Sequence, residues 1–224
     1  MPTRLPGTDV VVVGLGAVGG VAALPLAQAG VSVVGLEAGS RLTRKDFAPD
    51  ELRNNMRAWP FTVQKTQREI PTTRPNRSAQ ATQDAVHPMM NGVGGTSLHY
   101  WAQSWRLNPW DFQVVSETTR RYGASRLPEG STVEDWPFGY EELEPYYDRV
   151  EHEIGVSGQA GNVGGEIDGR GNRFEGPRTR GYPMEPLRWT GFIDRMADSA
   201  ESLGWDPFPG PAAVNTRTFQ DRSA

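Results

Sequence analysis

The sequence predicts an α/β fold that opens on a βαβ unit, and three observations carry the prediction. Val10 to Val13 is a run of four β-branched residues leading into a glycine-spaced turn, Gly14-Leu15-Gly16-Ala17-Val18-Gly19. Ala17 to Ala29 is rich in alanine and leucine, as a helix prefers, and Gly30 fits the position just past a helix end. Val31 to Leu36 then supplies a second strand-forming run.

Taken in order, Asp9 to Val13 reads as a buried strand, Ala17 to Ala29 as a helix and Val31 to Leu36 as its parallel partner. Pro25 removes one helical donor and is expected to bend the last turn. From Ser40 to His87 the chain turns polar and is punctuated by Pro49, Pro60, Pro71 and Pro75. Only Asp50 to Ala58 looks helical there, and the segment is expected to wrap another surface. "YEELEPYYDRVEHEIG" reads as a helix whose Tyr146, Val150 and Ile154 recur every fourth residue and which Gly155 stops. Gly158 to Gly181 is glycine-rich and reads as loop. Thr190 caps a final helix, with Phe192, Met196 and Leu203 on one side and Gly204 at its end.

A doubly wound fold needs more parallel strands than these. The chain therefore reads as an incomplete Rossmann-like domain. Its last stretch, "AAVNTRTFQDRSA", carries no stop or turn signal, and residues 1–224 are not expected to fold alone into a working enzyme.

Composition narrows the function. The 224 residues carry a net charge of −4 and are 37% hydrophobic. This globular, acidic chain offers no basic surface for nucleic acid or an anionic membrane. With no apolar run long enough to span a bilayer and no leader pattern, a soluble cytoplasmic protein is expected. Cysteine is absent, which excludes disulfides and thiolate chemistry, and no metal site is expected.

The glycine turn has a physical logic. Gly14 permits the tight turn, Gly16 lets backbone approach a pyrophosphate, and Gly19 lets helix pack on strand. The helix start at Ala17 and Val18 presents free N–H groups and partial positive charge to an anion. Glu37, eighteen residues after Gly19, ends the second strand beside Ala38, where a carboxylate can accept hydrogen bonds from an adenosine ribose. An adenine dinucleotide is expected. The pattern does not separate FAD from NAD.

"NGVGGTSLHYWAQSWRLNPWDF", Asn91 to Phe112, decides more. Gly92, Gly94 and Gly95 admit close backbone approach, Thr96 and Ser97 supply hydroxyl donors, and Tyr100 and Trp101 supply stacking area. That set suits a flavin. An NAD-dependent dehydrogenase would leave the loop unexplained, and a non-catalytic interaction module is the remaining alternative.

These stretches resemble the glucose-methanol-choline (GMC) family of FAD oxidoreductases, in the branch of pyranose oxidase, gluconate and fructose dehydrogenases and bacterial sugar or glycoside 3-oxidases. "VVVVGLGAVGG", "VVGLEAG", "GVGGTSLHYW", "LNPWDF" and "DWPFGYEELEPYYDRVEHEIGVSG" carry the resemblance. It implies an FAD-binding domain over residues 1–135 and the start of a substrate-binding α+β domain over 136–224. Gly14, Gly16, Gly19 and Glu37 would bind the ADP half of FAD, and Asn91, Gly94, Gly95, Thr96 and Ser97 would lie along the flavin. His99 stands near the position where pyranose oxidase bonds covalently to its flavin. The implied reaction is oxidation of a sugar or glycoside hydroxyl, with the catalytic base in a C-terminal segment or companion chain; a homo-oligomer is left open. His87 and His152 match no family motif, and Glu151, His152 and Glu153 read as a solvated helix face. Tyr140, Tyr146 and Tyr147 read as core packing.

Overall fold

A computed structural model describes residues 6–43, 72–83, 91–98 and 100–224. Its contacts divide the chain into two units, 1–100 and 101–224.

In the first unit, β1 (Val10–Val13) and β2 (Val33–Leu36) pair in parallel, Val10 opposite Val33 and Val13 opposite Leu36, with α1 (Ala17–Gln28) between them in sequence. The expected βαβ unit is present, with ends trimmed by one or two residues. α1 continues through Pro25 to Gln28, and Gly30 takes a left-handed φ of 77° beyond its end. β1 is not the buried strand expected: Val13 is 83% exposed, and α1 contributes no buried residue. Four consecutive valines satisfy strand propensity on both faces, but propensity alone does not cover either face. Within the polar segment, β3 (Thr72–Thr73) and β4 (Thr82–Gln83) form a short antiparallel pair. The helix expected at 50–58 and His87 fall outside the described residues.

The second unit contains every buried apolar side chain among the described residues, Phe112, Tyr140, Val156 and Met184 foremost. Asn108 and Asp111 close a capping box on the 3₁₀ turn Pro109–Phe112. α2 (Val114–Tyr122) follows, its first N–H groups at Val115 and Ser116 accepted by the Asp135 carboxylate. Phe112 packs against Trp136 and Phe138 at 6.2 and 6.1 Å between ring centres. These contacts tie the residues on either side of position 135 together within the second unit.

α3 (Tyr140–Ile154) ends at Gly155 in the left-handed region, as its sequence implies. Its inner face is not the expected apolar stripe. Tyr146 is 66% exposed, while Tyr140, Glu144 and Glu151 are buried. Glu151 is therefore not part of a solvated face. Arg106 grips it with Nε and Nη2 at 2.8 and 2.9 Å and reaches Glu144 at 3.1 Å. Arg178 meets Glu151 at 2.5 Å and Glu175 at 3.5 Å. Three carboxylates face two guanidinium groups, and backbone N–H groups offset the surplus charge: Thr179 donates to Glu144, and Gly161 donates to Glu175. Burial pushes the Glu144 carboxyl up, but the Thr179 donors and Arg106 outweigh it and hold it below its ordinary range.

The glycine-rich stretch is ordered. β5 (Asn162–Val163) and β6 (Glu166–Ile167) form a hairpin turned by Gly164 and Gly165 at φ 63° and 90°. A Cβ on Gly161 would lie 2.3 Å from the Asn172 backbone, so this glycine marks a close crossing of chain on chain. α4 (Gly191–Ser202) follows Thr190 and buries Ala197, leaving Phe192, Met196 and Leu203 exposed. The final stretch also carries an unforeseen turn: Phe219 and Arg222 exchange backbone hydrogen bonds around Gln220 and Asp221, both at positive φ. Arg222 then donates to the carbonyls of Ile154 and Glu153 at the end of α3.

Candidate functional site

The first unit encloses a cleft of about 620 Å³ lined by Val13, Gly14, Gly16, Leu36, Glu37, Ala38, Asn91, Gly95 and Thr96. Two stretches more than fifty residues apart in sequence meet there. Gly14 turns at φ 90° and its N–H donates to the Leu36 carbonyl at 2.7 Å, which pins the turn to the end of β2. Gly94 donates to the Leu15 carbonyl at 2.7 Å, and Val93 donates to the Ser40 carbonyl at 3.2 Å. The second motif is thereby laced to both ends of the βαβ unit.

Glycine is required at two of these crossings for lack of space. A Cβ on Gly19 would sit 2.0 Å from the Gly14 oxygen, and one on Gly39 would sit 2.0 Å from the Asn91 oxygen. At Gly14 and Gly16 the reverse holds: a Cβ would meet no atom within 4 Å. Both line the cleft, so their missing side chains leave space into which a ligand can press against backbone. α1 begins at Ala17 directly after this turn and directs the positive end of its dipole there.

Glu37 lies between these parts. Its Oε2 accepts the Leu15 N–H at 2.8 Å and its Oε1 the Gly39 N–H at 3.0 Å. Those donors, Gly39 foremost, hold its carboxyl below the ordinary range, so it is anionic at neutral pH.

Of the expected site residues, Gly14, Gly16, Glu37, Ala38, Asn91, Gly95 and Thr96 line the cleft. Gly92 and Gly94 lie behind it in bridges to Ser40 and Gly16, and the Ser97 hydroxyl donates to the Gly94 carbonyl at 2.5 Å. Ala17 and Val18 open α1, with Val18 exposed, and Gly19 serves packing. Tyr100 is half-exposed, and Trp101, 89% exposed, belongs to the second unit and is not among the cleft's walls. His99 lies outside the described residues. Val13 and Leu36 were not singled out from sequence, although the last residue of each strand is where such a cleft opens.

The second unit has its own cleft of about 560 Å³, with Val163, Ile167, Tyr182, Glu166, Glu185 and Arg217 among its walls. No motif in the sequence pointed to it. Among the described residues no group of acidic or histidine side chains could hold a metal, and no helix is long and apolar enough to cross a membrane.

No family model matches the chain. It is 34% identical to gluconate 2-dehydrogenase flavoprotein of Pantoea cypripedii over 94% of its residues and 36% of that protein. It is 32% identical to 2-methyl-1,2-propanediol dehydrogenase of Mycolicibacterium austroafricanum over 100% of its residues and 36% of that protein. The fructose dehydrogenase large subunit of Gluconobacter japonicus shows 31% identity over 96% of the chain and 38% of that protein. The chain thus spans little more than a third of the length of these relatives. Gluconate and fructose dehydrogenases stand in the branch whose motifs the chain carries, so the resemblance extends from those motifs to nearly its whole length.

Proposed function

We propose that this chain is the FAD-binding portion of a GMC-type oxidoreductase that oxidises a secondary hydroxyl of a sugar or glycoside to a ketone. The observation that carries the reading is the meeting of the glycine turn, Glu37 and the Asn91–Thr96 stretch at one cleft. A dinucleotide turn alone would serve NAD equally; the second, glycine- and hydroxyl-rich wall favours a flavin. The relatives include a flavoprotein and dehydrogenases of gluconate, fructose and a diol, which supports oxidation of an alcohol.

In this reading Gly14 and Gly16 let backbone approach the pyrophosphate, and the start of α1 at Ala17 and Val18 stabilises its charge. Glu37, beside Ala38, accepts from ribose hydroxyls. Asn91, Gly95 and Thr96 flank the flavin end, with Gly92, Gly94 and Ser97 holding that wall. Bound flavin supplies hydride acceptance. This chain's residues bind and orient it and exclude water from one side. The base that takes the hydroxyl proton comes from a C-terminal segment or companion chain, which also completes the Rossmann-like sheet.

The test is an absorbance spectrum of the purified protein before and after acid precipitation. Flavin absorbance that accompanies the protein and is released by acid supports noncovalent FAD, and retention in the precipitate supports attachment at His99. A colourless protein that takes up NAD but no FAD overturns the assignment.

A further inference from the structure

Each carboxylate oxygen of Glu37 accepts one backbone N–H, from Leu15 on one side and Gly39 on the other. Both partners adjoin an attachment point of the second motif. The Leu15 carbonyl receives the Gly94 N–H at 2.7 Å. Gly39 lies against the Asn91 backbone so closely that a Cβ there would be 2.0 Å from the carbonyl oxygen, and the Ser40 carbonyl receives the Val93 N–H. The bridge is built from protein atoms alone.

We propose that Glu37 is a positioning residue: a strut that fixes the glycine turn against the Asn91–Gly95 wall and shapes the cleft before any nucleotide arrives. The purpose of that shape rests on the FAD reading; the strut itself does not. A carboxylate offers about four acceptor sites, and besides Leu15 and Gly39 the Ala38 and Gly92 backbones also favour the charged form of Glu37. Glutamine cannot substitute, because its amide NH₂ would face one of the two N–H donors. The depressed carboxyl pKa agrees with a group held ionised by two backbone donors.

The experiment uses ¹⁵N-labelled, flavin-free protein and follows the amide signals of Leu15, Gly39 and Gly94. In the wild type, Leu15 and Gly39 should shift together with one midpoint below the ordinary glutamate range. Glu37→Gln and Glu37→Ala should abolish that shift. In Glu37→Ala, Gly94 should exchange with solvent about tenfold faster or more, the scale of a lost hydrogen bond to a charged group. A ligand for ribose alone would move none of these signals in protein without nucleotide. Wild-type Leu15 and Gly39 signals with no common acidic midpoint overturn the strut, a result that does not depend on whether the variants fold. Adding FAD to the same samples separates the two ideas: a wild type with the pH signature but no FAD binding keeps the strut and removes the cofactor reading.

Discussion

Two adjacent glycines in α1 should respond to the same substitution with opposite sign. A Cβ on Gly19 would lie 2.0 Å from the Gly14 oxygen and 3.1 Å from its carbonyl carbon, more than an ångström short of ordinary contact. That oxygen cannot easily retreat, because the N–H of the same peptide group, at Leu15, is fixed to the Glu37 carboxylate at 2.8 Å. Gly19→Ala must therefore lift α1 from the turn, at the roughly 1–3 kcal/mol typical of overpacking or more. Gly20 has nothing within 4 Å of the same added atom. Gly20→Ala should instead gain about 1 kcal/mol, the helix preference for alanine over glycine. Urea unfolding of flavin-free protein measures both, and FAD titration should show weakened binding in Gly19→Ala alone, since Gly14 lines the cleft. If both variants move the unfolding midpoint in the same direction, the close packing of turn and helix is wrong.

Gly95→Val should abolish flavin retention, because Gly95 lines the cleft and holds φ 55°, which a β-branched residue strongly resists; a flavin-replete valine variant would place the loop elsewhere. Arg106→Met leaves Glu151 and Glu144 short of a buried cation and should cost about 3–5 kcal/mol in urea unfolding, whereas Arg120→Met, at an exposed pair that solvent screens, should leave the unfolding midpoint nearly unchanged. Glu144 has a folded-state pKa below its unfolded value, so its stabilisation is complete above the unfolded value and is lost as pH falls through the folded one. Glu144→Gln should accordingly flatten the acid side of a stability-versus-pH curve. An unchanged acid limb would show that Glu144 does not govern it.

The first forty residues were legible because local rules suffice there: β-branched runs, a glycine turn and a helix stop each act within a few residues. The two site motifs were legible separately, but their lacing was not. Gly94 on Leu15 and Gly39 against Asn91 are backbone contacts that no side-chain pattern announces. α3 was placed correctly and turned wrongly, because Tyr146, Val150 and Ile154 read as its periodic stripe and Glu151 as solvated, and only the folded positions of Arg106 and Arg178 reverse that. The glycines after Gly158 read as loop, and what that reading did not show is that Gly161 and Gly171 permit chain crossings too close for any side chain. Gln220 and Asp221 turn the chain without glycine or proline, held by the hydrogen bonds between Phe219 and Arg222.

The central claim is that two distant motifs form one flavin-binding cleft, and amide hydrogen exchange with and without added FAD tests it most directly. The account predicts that FAD slows exchange in residues 14–19 and 91–97 together, over the same concentration range, and that NAD does not reproduce the effect. Protection confined to 14–19, or equal protection by NAD at both stretches, would contradict it.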